Sequence, residues 1–219
     1  MVARPRVAMG TAVFDSGLAN GLMPRPFIVE RVESAKDLAA IYRLRVAAWR
    51  SRTDYFPDIA EWQDSHDATA CHWAIRDGER IVAAARLTIH DRLADAPSAE
   101  IYEGVLPADL AGPIAVMTRL VVARSHGGQG LSRLLDVARI DHARASGCRH
   151  ILGETFAGLP RLNAVVELGF TIVGLSGAYA SGPLRQVKEE RGGGKSSACS
   201  HFDLPPAPPL TATIFSLGL

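Results

Sequence analysis

Short runs of β-branched and other apolar residues alternate along this chain with segments whose apolar positions recur at helical spacing. The segment 27–32 is strand-like in composition. A helix is predicted directly after it, because Ser34 can cap its first turn and Leu38, Ile41 and Val46 then repeat every three to five residues. The chain therefore begins its ordered part with a strand followed by a helix.

A hairpin and a buried strand are predicted next. The strand-like segments 72–76 and 80–89 are joined at Asp77-Gly78, a dipeptide that favours a tight turn. After a loop that contains three prolines, the segment 114–122 is apolar almost throughout and rich in valine. Such a run is typical of a strand that is covered on both faces, which predicts a central position in the sheet.

The remaining elements follow at close spacing. They are a glycine-rich turn at 127–130, a helix ending near Gly147, a strand at 150–154, a helix at about 160–168, a strand at 170–173 and a last strand at 211–217. This alternation predicts a single α/β domain over residues 26–219 that is built on one sheet. Residues 1–25 are interpreted as a loose leader, and about 174–210, with a mixed-charge run and a proline cluster, as a flexible insertion.

Composition narrows the classes of function. The chain has 24 lysines and arginines against 23 aspartates and glutamates, so no net field attracts nucleic acid or an anionic membrane. No apolar run approaches the ~20 residues of a membrane span. Three scattered cysteines indicate neither a disulfide framework nor a metal site, and the histidines have no metal-ligand spacing, so no metal is expected. A cytoplasmic protein that recognises a small or local partner is predicted.

A buried strand that leads through a glycine-rich turn into a helix is a common anion site, because free backbone N–H groups and the positive helix end converge there. Two phosphate-binding fingerprints do not fit. A dinucleotide motif GxGxxG starting at Gly128 requires a third glycine where this chain has Arg133. A Walker A motif ending in Lys195-Ser196 requires its first glycine where this chain has Glu189. The turn after the central strand remains as the candidate anion site.

The segment 120–135, LVVARSHGGQGLSRLL, resembles the GNAT superfamily of acyl-CoA-dependent N-acyltransferases, whose pattern is a valine-rich strand, Arg/Gln-x-x-Gly-x-Gly/Ala and a helix with paired leucines. Gly130 takes the central glycine position, whereas Gly127 and Ser132 depart from the pattern. Leu168-Gly169-Phe170 matches a second family junction. The resemblance implies a GNAT-like α/β (α+β) fold with a mixed, largely antiparallel sheet of about six to seven strands flanked by about four helices.

The resemblance also implies the co-substrate, which is acetyl-CoA or another acyl-CoA. Its pyrophosphate would bind backbone N–H groups of the turn, and its pantetheine arm would lie along the central strand as an added strand. The coenzyme-binding residues expected in this way are Leu120, Val121, Val122, Gly127, Gly128, Gln129, Gly130, Leu131 and Ser132. An amine would then attack the thioester directly, with the oxyanion met by a backbone N–H of the strand.

Direct attack needs a base for the amine proton and, in many relatives, a tyrosine that protonates the thiolate. The family's tyrosine position is Val165 here, so Tyr179 or Tyr55 is the candidate acid, or the thiolate leaves unprotonated because a thiol pKa is only about 8.5. Glu154, at the end of a predicted strand, is the candidate base; the alternative is a solvent-exposed charge or a turn cap. Glu100 and Glu103 lie in the loop before the central strand and could reach the acceptor side, or face solvent. His126, inside the glycine turn, is a candidate phosphate contact rather than a base, or an exposed loop histidine.

Arg119 lies inside the apolar central strand, where a buried charge needs a partner. It resembles the arginine before a Leu-x-Val strand in relatives with acyl-carrier or amino-acid substrates, including the acyl-homoserine-lactone synthases. In that role it would bind a carboxylate of the acceptor. The alternative is a structural ion pair with an acid on a neighbouring element.

The leading hypothesis is an N-acetyltransferase that moves an acyl group, most simply acetyl, from coenzyme A to an amine of a small molecule or peptide. One alternative is transfer of a longer acyl chain to an amino-acid-like acceptor. Another is a non-catalytic acyl-CoA sensor, suggested by the departures at Gly127, Ser132 and Val165. Neither nucleic acid nor a membrane is expected as a partner, and a homodimer is compatible with the sequence.

Overall fold

The computed structural model describes residues 26–51, 56–156, 161–176 and 212–219. Its helices and strands follow in the order β1 (Val29–Val32), α1 (Ala35–Arg50), β2 (Cys71–Asp77), β3 (Arg80–His90), β4 (Ile114–Val122), α2 (Leu131–Ala145), β5 (His150–Phe156), α3 (Arg161–Glu167), β6 (Thr171–Ser176) and β7 (Ala212–Gly218). Each strand and helix predicted from the sequence is present within a few residues of its expected bounds.

The strands form one sheet in the order β1-β2-β3-β4-β5-β7-β6. Among the described strands, β4 and β5 run parallel and the other neighbouring pairs run antiparallel. The predicted α/β class and the largely antiparallel sheet are confirmed, and the sheet has seven strands where six to seven were predicted. Three α-helices occur in the described ranges, where about four were expected; the described residues 56–70, between α1 and β2, contain a 3-10 helix, Ser65–Ala68.

Helices α1 and α2 cover opposite faces of the sheet. Successive residues of β2 point to opposite faces: His72 contacts Tyr42 of α1, and Trp73 contacts His142 of α2, both in edge-to-face geometry. The prediction that 114–122 is covered on both faces holds for residues 114–118, which are all buried. The centre of the sheet is therefore enclosed from both sides.

The proline-containing loop between β3 and β4 covers the part of the α1 face that α1 does not reach. It packs Leu93, Ile101 and Tyr102 against Val116 of β4 and Leu152 of β5 in an apolar cluster. This loop therefore forms a wall over the strands on which the candidate catalytic residues lie.

The strands on either side of the predicted insertion 174–210 are β6 and β7. Strand β6 continues to Ser176, and β7 begins at Ala212 and pairs with both β5 and β6. The leader 1–25 and the segment 177–211 lie outside the described residues. Within the described ranges, no helix combines the length and apolar character that crossing a membrane requires.

Candidate active site

The parallel strands β4 and β5 separate halfway along their length. They pair from Ile114 and His150 to Met117 and Gly153, after which β4 stays with β3 and β5 stays with β7. At the last pair there is no room for a side chain on β5, because a Cβ on Gly153 would lie 2.5 Å from the ring of Phe215. The separation leaves an opening in the middle of the sheet.

A β-bulge in β4 lies at the start of this opening. Because β3 pairs with Thr118 and then with Val121, Ala85 of β3 is opposite two residues of β4, Arg119 and Leu120. Arg119 takes the left-handed conformation with φ +54°. The arginine Arg139 of α2 donates to the carbonyl oxygen of Thr118 at 3.4 Å and holds the bulge from the opposite face. Such a bulge interrupts the ladder and re-aims side chains locally.

Beyond β4 the chain passes through the glycine turn into α2. Gly128 and Gly130 have φ of +76° and +74°, a region that suits glycine, and the helix begins at Leu131. In the described part of the chain, the N–H groups of residues 128–132 have no acceptor, whereas those of Arg133 and Leu134 bond to the carbonyl of Gly130. The predicted turn therefore presents a row of unpaired donors at the positive end of a helix.

Glu154 lies on β5 immediately past the last residue that pairs with β4. Its Oε2 accepts a hydrogen bond of 2.9 Å from the hydroxyl of Tyr102, whose side chain is 0% exposed. Burial raises the pKa of Glu154 above its ordinary value, although Tyr102, Arg119 and Arg86 all favour the ionised form. A carboxylate with a raised pKa at the edge of an opening is a stronger proton acceptor than an ordinary glutamate, which suits it to the role of a general base.

Arg119 is held by a network of buried charges beside this carboxyl. Its Nη2 donates to Oδ2 of Asp64 at 2.6 Å, and its guanidinium lies 4.2 Å from the ring centroid of Trp62. Asp64 also accepts from Nη1 of Arg86 at 2.6 Å. Burial opposes the ionisation of Asp64, but the two arginines outweigh it and hold the pKa of Asp64 well below its ordinary value.

A second aspartate extends the network into the core. Asp67 accepts from Nη1 and Nη2 of Arg45 at 2.9 and 3.0 Å and lies 3.1 Å from Nη1 of Arg86. Arg45 is 0% exposed, and its Nη1 also donates to the carbonyl of Trp62. The network therefore contains three arginines and two aspartates and carries one surplus positive charge before Glu154 is counted.

Both roles considered for Arg119 are compatible with this geometry. The ion pair with Asp64 is present, and the side chain is only 10% exposed. Its Nε is nevertheless buried without an acceptor in the described part of the chain, which leaves a donor for a ligand. Binding of an acceptor carboxylate by Arg119 stays a prediction.

Several sequence candidates lie elsewhere or outside the described residues. His126 contacts Asp77, the last residue of β2, with 3.3 Å between Nε2 and Oδ2. Glu103 is exposed to solvent. Position 165, where many relatives have the tyrosine, is a valine that is buried in α3. Tyr179 and Tyr55 lie outside the described residues. Among the described residues, no group of three or more histidines, cysteines, aspartates or glutamates is arranged to hold a metal ion.

Sequence reasoning did not single out Tyr102, Asp64 or Asp67. A weak signal existed for the aspartates, since Asp64-x-x-Asp67 has the spacing of a capping box and does cap the 3-10 helix Ser65–Ala68. Tyr102 lies in a loop without periodicity, and its partner Glu154 is 52 residues further along the chain. No local pattern indicates such a contact.

Comparison with known proteins gives a family and a set of similar folds. A model described as the acetyltransferase (GNAT) family matches residues 38–170. A search of curated proteins found no match.

Solved structures with a similar fold include three acyltransferases. An acetyltransferase from Bacillus subtilis in complex with CoA has 15% identity and a TM-score of 0.55, covering 88% of this chain and 99% of its own. An N-acyl amino acid synthase from uncultured soil microbes has 12% identity and a TM-score of 0.58, covering 88% and 90%. The ribosomal-protein-S18-alanine N-acetyltransferase from Escherichia coli has 16% identity and a TM-score of 0.51, covering 88% and 93%. At these identities the likeness is one of fold.

Proposed function

Because the chain belongs to the GNAT acetyltransferase family and is therefore an acyltransferase that uses coenzyme A, we propose that it transfers an acetyl group to an amine of a small molecule or peptide. The observation that carries this proposal is the opening between β4 and β5. The opening has Glu154 at its start, and β4 leads from it to the unpaired N–H groups of residues 128–132. A thioester would thus lie between a base and an anion site.

The coenzyme is proposed to bind through backbone groups. Its pyrophosphate would accept hydrogen bonds from the N–H groups of residues 128–132, and its pantetheine arm would lie along residues 120–122 as an added strand. Gly127, which was also expected to bind the coenzyme, donates its N–H to the carbonyl of Arg124 at 3.3 Å instead. Leu120 and Val122 are partly exposed, whereas Val121 between them is buried in the core. With a net charge of +1, the protein as a whole does not attract a polyanion. Attraction for the pyrophosphate would therefore come from the N–H groups of the turn.

The transfer would proceed by direct attack. The neutral amine nitrogen forms a bond to the thioester carbonyl carbon, its proton passes to Glu154, and the carbon–sulfur bond breaks to release coenzyme A. A backbone N–H near residues 120–122 would stabilise the oxyanion. Tyr179 would protonate the thiolate, or the thiolate would leave unprotonated.

The test is calorimetry with acetyl-CoA followed by an assay of thiol release with a panel of amines. We expect saturable binding and amine-dependent release of coenzyme A. An absence of heat and of any thermal shift at millimolar acetyl-CoA would refute acyl-CoA binding. Binding without transfer to any amine or to water would instead support the non-catalytic sensor that the motif departures suggested.

A second candidate function is transfer of a longer acyl chain to an amino-acid-like acceptor. The buried Nε of Arg119, without an acceptor in the described ranges, supports the amino-acid-like acceptor, because a carboxylate beside the acceptor amine would supply the missing partner. The same assay distinguishes the two candidate functions. The release of coenzyme A is compared for acetyl, hexanoyl and decanoyl donors, each offered with an amino acid and with the corresponding decarboxylated amine. A preference for the longer donors and for the amino acid would support the second.

Replacing Gly130 with alanine is expected to weaken coenzyme binding about tenfold, equivalent to ~1.4 kcal/mol. Its φ of +74° strains a residue with a Cβ, and relief of the strain would displace the N–H groups of the turn. Isothermal titration with coenzyme A measures the change.

The matched control is Gly147→Ala at the other end of the same helix, where φ is +71° and the space for a Cβ is also open. Both variants are expected to lose about 1 kcal/mol of unfolding free energy. Equal coenzyme affinity in the two variants would contradict an anion site at the turn.

A further inference from the structure

Tyr102 is the group in direct hydrogen-bond contact with the proposed base. Its hydroxyl donates to Oε2 of Glu154 at 2.9 Å. Its ring is fully buried and packs in the apolar cluster with Ile101 and Leu152. A buried tyrosine hydroxyl needs a partner, and here that partner is the carboxylate of Glu154 on β5.

The backbone around Tyr102 is also fixed. Its N–H donates to the carbonyl of Ala99 at 3.0 Å, and its own carbonyl accepts from the N–H groups of Val105 and Leu106 at 3.1 and 3.0 Å. The buried ring is therefore held both by its packing and by a hydrogen-bonded backbone. Glu154 has three rotatable side-chain bonds, so the fixed hydroxyl selects among its rotamers.

We propose that Tyr102 is a positioning residue that holds Oε2 of Glu154 and leaves Oε1 to take the proton of the attacking amine. This inference rests on the proposed function, in which Glu154 is the base. Orientation of a base relative to the proton it removes contributes strongly to rate, because a small displacement takes the two out of reach.

Several neighbouring side chains affect the ionisation of Glu154, and Tyr102 is one of them. Arg86 on β3, Arg119 on β4 and Glu100 in the 3-10 helix Ala99–Ile101 act on it, together with Tyr102. Its partner on β7 is the apolar residue Ile214. The hydroxyl donates to the ionised carboxylate and favours it, so loss of the hydroxyl makes Glu154 harder to ionise.

The test is Tyr102→Phe in the full chain, which removes the hydroxyl and keeps the ring. We expect the acidic limb of the kcat/KM profile to move to higher pH and kcat on the plateau to fall by about tenfold, the scale of one hydrogen bond to a charged group. KM for acyl-CoA should be unchanged. The titration of Glu154 can also be followed by carbon-13 NMR of the glutamate carboxyls, in which the Glu154 signal is the one missing from the spectrum of Glu154→Gln. In Tyr102→Phe this signal should titrate at higher pH than in the wild type.

The control is Tyr42→Phe, which removes the hydroxyl of another buried tyrosine, in α1, that packs on His72 rather than on Glu154. It is expected to leave both the NMR titration of Glu154 and the pH profile unchanged. If Tyr102→Phe changes only the thermal stability, or shifts neither titration nor profile, the positioning role is wrong.

If Tyr102→Phe does not fold, replacement of Tyr102 by fluorotyrosine tests the same hydrogen bond. Fluorotyrosine at position 102 is a stronger donor and should move the titration of Glu154 to lower pH, opposite to the phenylalanine variant; an unchanged titration would overturn the proposal. The NMR titration needs no turnover. If the wild-type protein transfers no acyl group, the proposed function fails while the effect of Tyr102 on Glu154 is still measured.

Discussion

Replacing Glu154 with glutamine is expected to lower kcat by about 10²- to 10⁴-fold, the usual contribution of a positioned general base. The amide keeps the size of the side chain but cannot accept the amine proton. Binding of acyl-CoA should be unchanged, because the proposed coenzyme site lies on the other side of the opening, along β4 and the glycine turn. Steady-state kinetics with acetyl-CoA and the best amine of the panel measure the loss.

The pH dependence gives a second expected result from the same variant. Burial raises the pKa of Glu154, so wild-type activity should fall as the pH drops through that raised value, at a higher pH than for an exposed glutamate. The glutamine variant should lack this limb. Because folding raises the pKa of Glu154, the native state becomes less stable relative to the unfolded state as the pH rises and Glu154 ionises. Glu154→Gln removes this ionisation and should therefore cause no loss of thermal stability at neutral pH.

The matched control is Glu103→Gln, the same substitution at an exposed glutamate in the loop that carries Tyr102. It is expected to leave kcat and the pH profile unchanged. If Glu154→Gln instead retains most of the wild-type kcat, another group removes the amine proton and Glu154 is a structural carboxyl.

Replacing Asp67 with asparagine is expected to lower the free energy of unfolding by about 3–5 kcal/mol, the cost of leaving a buried charge without its partner. Asp67 accepts two hydrogen bonds from Arg45, which is 0% exposed, and it also lies 3.1 Å from Arg86. The guanidinium of Arg45 cannot lose its proton at ordinary pH and has no access to water in place of the carboxylate. Chemical denaturation at pH 7 measures the loss.

The pH dependence of this loss follows from the direction of the pKa shift. Burial opposes the ionisation of Asp67, but Arg45 outweighs it, so the pKa of Asp67 is lowered by folding. Its contribution to stability is therefore complete above the ordinary aspartate pKa of about 3.9 and is lost as the pH falls through the folded value. The difference between wild type and Asp67→Asn should narrow below about pH 4.

The chain offers a surface pair of the same chemistry as a control. Asp58 pairs with Arg50 at 2.8 Å, but the two side chains are 105% and 44% exposed. Asp58→Asn should change the free energy of unfolding by no more than about 0.5 kcal/mol, because water solvates the separated charges. A similar small change in Asp67→Asn would show that Arg45 finds another partner and that the network is not needed for stability.

Local sequence patterns predicted most of the fold. The segment 114–122 was predicted as a buried strand and is β4 with the same bounds, because an almost continuous apolar run favours a strand that is covered on both faces, as residues 114–118 are. Ser34 was predicted to cap the first helix, and its Oγ accepts from the N–H of Asp37 at 3.1 Å. These features depend on residues close together in the chain, so their spacing is visible in the sequence.

The candidate site was predicted only in part, and the difference follows from distance along the chain. The glycine turn and Glu154 could be proposed from the sequence, because the turn follows the predicted strand 114–122 and Glu154 is the last residue of the predicted strand 150–154, although β5 in fact continues to Phe156. The hydrogen bond from Tyr102 to Glu154 joins residues 52 apart, and the ion pair of Arg119 with Asp64 joins residues 55 apart. Charged residues in loops and strands have many possible partners, and their spacing does not select one.

The sequence by itself therefore determined the order of strands and helices, the family motif and the position of the turn that presents free N–H groups. Only the tertiary structure decided that β4 and β5 separate after Met117 and Gly153, that a bulge at Arg119 lies at this separation, and that Tyr102 and Asp64 hold the two charged side chains beside it. The physical reason is that periodicity and capping are local properties. The separation of two strands and the partner of a buried charge depend on how segments distant in the chain pack together.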